Sequence, residues 1–355
     1  MSAEFFLGAN TPSGFYSLYD ELIDPDTARD VIVLKGGPGC GKSTFMRHVG
    51  ALVTAAGHSV ESILCSSDPD SLDGVIFPSL NAAIVDGTAP HVVEPVFPLA
   101  VERYCNLGTH CDIGAVKANR TEIQRLIRAI RPCYARATRC LSAARALEDD
   151  MFDSILGGAA LDTLARRARG IIGREIKPGP GAALKKRFLS AITPRGLLCR
   201  YDTARVLCPR LYELNDDYGL AHMMLSPILE AALAAGQEAV ACYSPMNPTH
   251  QLEHVLLPGL GVGFVSSGHL HVYDSKPFRR LRLNACLNPE PLRRQRIRLR
   301  FLHKTERALL CEAVEALACA KRLHDELETY YHPYMDFASV ERHADQTAAC
   351  LLHLV

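Results

Sequence analysis

The chain of 355 residues contains no tryptophan, few aromatics (7%) and no net charge, with 39 Lys and Arg against 39 Asp and Glu. That balance excludes a global electrostatic pull toward nucleic acid or an anionic membrane surface; either partner would have to be read from a local cluster. No window approaches the ~20 uninterrupted apolar residues of a membrane span. The opening MSAEFFLGANTPSG lacks both the basic n-region and the apolar h-region of a signal peptide. Thirteen cysteines are present, but the closest pairs, Cys105/Cys111 and Cys133/Cys140, lack the roughly two-to-four-residue spacing of zinc sites. An odd, dispersed set reads as reduced thiols, many of them buried as small apolar groups. The expectation is a cytoplasmic protein without membrane contact. What is present fits a packed protein: 48% of residues are hydrophobic and 22% charged, and the length suits two domains.

Residues 31–49 read VIVLKGGPGCGKSTFMRHV. Four apolar, mostly β-branched residues predict a buried parallel strand. Gly36-Gly37-Pro38-Gly39-Cys40-Gly41-Lys42-Ser43 then fits G-x-x-x-x-G-K-[ST], with Thr44 following. Glycines let the backbone curl so that successive amides point at phosphate oxygens. A helix beginning near Lys42 adds its positive end to the same place. Lys42 is expected at the β- and γ-phosphates and the Ser43 hydroxyl on Mg²⁺. The context, after a strand and opening a helix, is the one this motif requires.

A magnesium site also needs an acid at the end of a neighbouring strand, and LNAAIVDGTAPH ends an apolar run at Asp86, matching the Walker B pattern. Gly87 follows, where many motor-type ATPases carry a glutamate. Between the two motifs lies SVESILCSSDPDSLDGVIFP, with Asp68, Asp70 and Asp73. One of these could orient a water or an acceptor hydroxyl, Asp68 being the first choice; the competing reading is turn and N-cap chemistry.

The chain also repeats itself. FLGANTPSGF, from Phe6, aligns with FLSAITPRGL, from Phe188, with six identities in ten. The register continues for about eighty residues, so that VIVLKGGPGCGKST, residues 31–44, falls over LYELNDDYGLAHMM, residues 211–224. Shared positions are architectural: Pro12/Pro194, Gly14/Gly196, Gly39/Gly219, Gly57/Gly236, Pro69/Pro248 and Pro78/Pro258. Lost positions are those that would touch phosphate and metal. Gly41, Lys42 and Ser43 become Ala221, His222 and Met223; Asp86 becomes Ser266 and Asp68 becomes Asn247. Gly36 and Gly37 become Asp216 and Asp217, whose carboxylates satisfy a helix N-terminus without a ligand. The second copy is therefore expected not to bind nucleotide. His91 and His271 coincide across the copies, which favours a structural role for His91.

Each α/β stretch is followed by helical periodicity. One stripe runs through Ile123, Ile127, Ile130, Tyr134, Ala137, Leu141 and Ala144, with Pro132 a candidate kink. Residues 305–331 carry the other. ARALEDDMFDSI (144–155) and AKRLHDELETYY (320–331) read as matching ends. KPGPG, residues 177–181, reads as a linker. Arg195, Arg200, Arg205 and Arg210 are available to a phosphate, with surface solvation the competing reading. RRARG (166–170) and LRRQRIRLRF (292–301) are basic, but thin aromatic interleaving and zero net charge argue against nucleic acid.

In these residues the chain resembles the P-loop NTPase superfamily. With CSSDPDSLDGV, DGTAPHVVEP and a C-terminal HDELE-x-YY-x-PYMDF (324–337), the whole chain resembles a bacterial family of tandem P-loop proteins described only as ATPases or nucleotide-kinase-like. In such relatives the second copy often keeps a recognisable Walker A; here it does not. The reading is an α/β fold of two tandem P-loop-like domains with parallel sheets, each followed by a helical appendage. They cover residues 1–175 and 188–355, around a linker at 176–187. The first is expected to bind Mg²⁺ and ATP, GTP being the alternative, and to hydrolyse it slowly or pass phosphoryl to an acceptor. Lys42, Asp86 and Asp68 would be catalytic. A nucleotide-gated module read by a protein partner, and a nucleic-acid-dependent ATPase, are the competing functions.

Overall fold

The computed structural model describes residues 3–354. The first α/β stretch comprises β1 (Ala3–Phe5), β2 (Gly8–Thr11), β3 (Gly14–Ser17), β4 (Asp30–Lys35), α1 (Lys42–Ala55), β5 (Glu61–Leu64), β6 (Leu72–Phe77), β7 (Ala82–Asp86) and β8 (Glu102–Asn106). Helices α2 (Ile113–Ala118), α3 (Arg120–Ile155) and α4 (Gly158–Glu175) follow. The second stretch repeats the order with β9 (Ala183–Arg187), β10 (Ser190–Thr193), β11 (Gly196–Cys199), α5 (Tyr201–Leu207), β12 (Arg210–Asn215), α6 (Ala221–Ala234), β13 (Glu238–Ser244), β14 (Asn247–Leu257), β15 (Val262–Ser267) and β16 (Arg279–Arg282). It continues into α7 (Pro289–Arg294), α8 (Arg296–Glu328) and α9 (Phe337–Leu352).

Two six-stranded sheets result, β1-β5-β6-β7-β4-β8 and β9-β13-β14-β15-β12-β16, with the same strand order element for element. The duplication therefore extends to topology. The sheets are mostly parallel, not wholly so as expected. β6 runs antiparallel to β5 and β7, and β14 antiparallel to β13 and β15. The reason is local: a tight 3-10 turn at Pro78–Leu80, repeated at Pro258–Leu260, folds each strand directly back on its successor, a connection too short for a parallel crossover.

Strand β4 lies inside the sheet between β7 and β8 and is buried from Val31 to Leu34, which is why it reads as an unbroken apolar run rather than an alternating one. Its register sets Leu34 opposite Asp86 of β7. Phe5, Ile32, Leu34, Phe45, Met46, Ile63 and Phe77 are fully buried around it. In the second sheet Tyr212, Leu225, Ile228, Val255, Leu257 and Phe264 form the corresponding core.

The chain divides into two compact units that cut across the expected domain boundaries. Unit 1 contains the residues up to Ala9, Ser17–Arg136 and Glu315 onward; unit 2 contains Asn10–Tyr16 and Ala137–Val314. The physical cause is where apolar faces are buried. Helix α4, expected with the first domain, buries Ala160, Leu164, Ala168 and Ile171 in the core of unit 2, together with Leu225 and Ile228 of α6. Helix α9, expected with the second, packs on α1 in unit 1 and buries Val340, Ala344, Ala348 and Leu351. Residues 120–136 of α3 count with unit 1 and 137–155 with unit 2; α8 divides in the same way. Each α/β stretch is thus completed by helices that follow the other stretch in sequence.

The expected linker is also structure. Gly179 and Gly181 donate to the carbonyls of Ala235 (2.8 Å) and Gly236 (3.0 Å). Residues 183–187, expected outside the second domain, pair as β9 with β13. On α3 the helix runs unbroken through Pro132. The buried stripe uses Leu126 where Ile127 was expected, Ile127 being exposed. Among the described residues no helix is long and apolar enough to cross a membrane.

Because α4 and α9 are core elements of these units, Leu164→Ala and Leu351→Ala should each cost about 2–4 kcal/mol. The measurement is the urea midpoint of the full-length protein, expected to fall in both variants. An unchanged midpoint would show that the helix concerned does not hold its unit together.

Candidate functional site

In unit 1 the segment from Gly36 to Thr44 leaves β4, turns, and enters α1. Gly39 holds φ +68° and its counterpart Gly219 holds +78°, a left-handed conformation that favours glycine in both copies. The first helical hydrogen bond runs from Phe45 N to Gly41 O (2.8 Å). The amides of Lys42, Ser43 and Thr44 therefore stand ahead of the helix's own ladder, at its positive end. Lys42 Nζ donates to the carbonyls of Gly36 (2.9 Å) and Gly37 (3.0 Å) and lies 3.7 Å from Asp86 Oδ2. Ser43 Oγ accepts from Leu72 N (2.9 Å). Asp86 Oδ1 accepts from the amide (2.9 Å) and hydroxyl (2.7 Å) of Thr88, so Oδ2 is the oxygen turned toward Lys42. The parallel β4–β7 pairing is what sets this carboxylate beside the loop.

Asp68 behaves differently from its expectation as a catalytic group. Its carboxylate accepts from Ser71 Oγ (2.8 Å) and the Asp70 amide (3.4 Å) and pairs with Lys321 Nζ at 3.5 Å. It is a turn cap with an ion-pair partner, the competing reading of that loop. The acid brought to Asp86 is Asp73: oxygens of Asp73 and Asp86 and a ring nitrogen of His91 lie within 4.8 Å of one another, all three side chains buried. Asp73 Oδ1 is 3.5 Å from His91 Nε2, and Asp73 Oδ2 accepts from the Tyr19 hydroxyl (2.9 Å). Burial pushes the Asp73 carboxyl up, with His91 opposing that shift. The signal was in the repeat. Tyr19, Asp73 and His91 align with Tyr201, Glu253 and His271, where His271 Nε2 lies 3.6 Å from Glu253 Oε1 and stacks on Tyr201. Burial pushes Glu253 up, but His254 and His271 outweigh it and hold its carboxyl down at about 2. A Tyr–acid–His cluster therefore persists where the other site residues are gone, which fits a structural role for the histidine in both copies. Asp73 and Asp86 thus bring two buried carboxylates together beside His91, while the Ser43 hydroxyl is bonded to the Leu72 amide.

The segment 324–337, which sequence reading gave no role, packs on the glycine loop. A methyl group added at Gly37 would stand 2.9 Å from Tyr331 Cε1, one at Gly39 3.1 Å from Glu328 O, and one at Gly41 3.3 Å from the Phe337 ring. The loop needs its glycines partly because this segment leaves no room for a Cβ. The Glu328 carboxyl is held below its ordinary range, chiefly by His324, with the Gly39 amide also contributing.

Unit 2 fills the corresponding turn from within. Asp216 Oδ1 accepts from Tyr218 N (2.9 Å) and Oδ2 from Ala221 N (2.6 Å), so a half-buried carboxylate takes one amide of the turn and the first amide of α6. Asp217 accepts from His269 N (2.9 Å) and Asn284 Nδ2 (2.7 Å). Gly268 closes over this turn, a Cβ there falling 2.2 Å from Asp216 O. Arg205 and Arg210 pair with Asp274 (3.2 Å) and Glu175 (3.0 Å). Comparison with protein-family models, with curated proteins and with solved structures gives no match.

Gly37→Ala should destabilise unit 1 by about 1–3 kcal/mol through collision with the Tyr331 ring. In a Tyr331→Ala background most of that cost should vanish. A double-mutant cycle on the urea midpoints measures the coupling; additive costs would mean that the ring does not confine the loop.

Proposed function

We propose that unit 1 is a P-loop nucleotide site that binds Mg²⁺ and ATP, or GTP, through Gly36 to Thr44. The observation that carries this reading is the Lys42 ammonium, tethered to two loop carbonyls and 3.7 Å from Asp86. A triphosphate would replace those carbonyls as the partner of the ammonium and fill the amide nest at the start of α1. The Ser43 hydroxyl and Asp86, with Asp73 behind it, would hold the Mg²⁺. Slow hydrolysis, or phosphoryl transfer to an acceptor, is the activity this arrangement supports. The second copy, its turn filled by Asp216, acts as scaffold or regulator. Thirteen cysteines, all free, support a cytoplasmic setting.

A nucleotide-gated module is the second reading, favoured by the 324–337 segment. Glu328 sits against Gly39 in the loop, so nucleotide would meet a carboxylate and two aromatic rings belonging to α8, α9 and the turn between them. Occupancy could then move those helices and be read by a protein partner.

Titration with Mg²⁺ and ATP should give one site per chain. Lys42→Ala should weaken binding roughly 10- to 100-fold, about 1.4–2.8 kcal/mol, and abolish phosphate release. Glu328→Gln, which removes a negative charge beside the loop, should tighten binding by about 3- to 10-fold. Calorimetry and a phosphate-release assay measure both. Unchanged binding and turnover in Lys42→Ala would defeat the site; weaker binding in Glu328→Gln would defeat the gate.

A further inference from the structure

Unit 2 carries a cluster that neither the repeat nor the nucleotide site explains. His269 leaves the loop after β15, while His303 and Glu306 lie three residues apart on α8. Their facing atoms close a small triangle. His269 Nε2 is 3.0 Å from Glu306 Oε2, His303 Nδ1 is 3.2 Å from His269 Nε2, and His303 Nδ1 is 3.4 Å from Glu306 Oε2. An ion about 2.0–2.1 Å from each of three tetrahedral ligands spaces those ligands at about 3.3–3.4 Å. Two ring nitrogens 3.2 Å apart both face one carboxylate oxygen of Glu306, a convergence of three ligand atoms that a single ion can bridge. The first ring is also steered from outside: His269 Nδ1 lies 3.6 Å from Asp217 Oδ1, and Asn284 holds the other oxygen of Asp217 (2.7 Å). A carboxylate behind a histidine is the usual support of a metal-binding imidazole.

The cluster is peculiar to this copy. Carried through the repeat, His269 aligns with Ala89, and His303 and Glu306 with Ile127 and Ile130. Three polar side chains stand where the nucleotide-type copy has apolar ones, so they are not inherited architecture. Asp217, which supports His269, replaces Gly37. Glu306 is almost fully buried, an environment that demands a compensating charge. His269 and Glu306 line a cavity of ≈ 390 Å³ whose other walls include Phe152, Met223, Met246 and Leu252.

We propose that His269, His303 and Glu306 bind a divalent first-row transition ion of the Zn²⁺ or Fe²⁺ type, with its remaining coordination position toward that cavity. Two imidazoles and one carboxylate suit such ions, and three protein ligands leave a place for water or a small molecule. The second copy would then have exchanged a nucleotide site for a metal site at the same end of its sheet.

The test uses the full chain, freed of metal with a chelator and titrated with Co²⁺. One tight equivalent is expected, with the visible absorption of a four- or five-coordinate site, displaced by Zn²⁺. His303→Ala and Glu306→Gln should weaken binding at least about 100-fold, and Asp217→Asn about 10- to 100-fold. His48→Ala, on a surface histidine of unit 1, should leave the spectrum unchanged. X-ray absorption of the Zn²⁺-loaded wild-type protein should show nitrogen and oxygen ligands only, a readout that does not depend on any variant folding. Retention of the Co²⁺ spectrum in folded His303→Ala, thiolate ligands from the cysteines, or no binding below about 100 μM would overturn the assignment.

Discussion

A helix that follows a buried strand after one short turn exposes amides that its own ladder cannot satisfy, and the positive end of its dipole adds to the demand for an anion. Both units meet this constraint in the same turn and answer it differently. At Asp216 the anion is part of the chain, bonded to the amides of Tyr218 and Ala221. Gly36 has no side chain to supply it; the Lys42 ammonium rests on the loop carbonyls, and the carboxyl that the loop amides meet, at Gly39, is that of Glu328. A turn lined with amides and a cation is poised for an external anion; a turn that carries its own carboxylate is not. The different filling of the two turns begins at one aligned pair of positions, 36 and 216, set in sheets of the same strand order.

The helices give the frames a second common feature. In unit 1 the end of α8 lies on the glycine loop, with Glu328 against Gly39; in unit 2 Phe152, near the end of α3, lies 3.9 Å from a Cβ placed at Gly219. Phe152 and Glu328 occupy the same position in the repeated helix ends. Each loop is therefore closed by the helix that follows the other copy. This exchange explains why neither stretch would be complete as a contiguous segment, and why a degenerate copy would be kept whole: its helices finish the core around the intact one.

Much of this was legible in the sequence, and the parts that were not have physical reasons. Val31–Leu34, the glycine loop, Asp86 and the repeat are local patterns, and the turn-filling by Asp216 followed from simple capping chemistry. The antiparallel turns at Pro78 and Pro258 were not foreseen, because a short apolar run carries no mark of its direction. The compact units cut across the expected domain boundaries because α4 and α9 bury their apolar stripes on cores distant in sequence. Asp68 was preferred in a loop containing three aspartates because nothing local separates them; strand pairing brings Asp73 to Asp86 instead. The His269, His303 and Glu306 cluster joins a loop to a helix more than thirty residues away, and no spacing rule connects them.

The central claim is that one loop presents its amides and ammonium to a triphosphate while its twin is already occupied by its own carboxylate. Its most direct test is a crystal structure of the full chain with Mg²⁺ and a non-hydrolysable ATP analogue. The account predicts phosphates at Gly36–Thr44, Lys42 Nζ moved from the Gly36 and Gly37 carbonyls onto them, and Asp216 still bonded to Tyr218 and Ala221. Phosphates at residues 216–223, or an empty Gly36–Thr44 loop at saturating analogue, would contradict it.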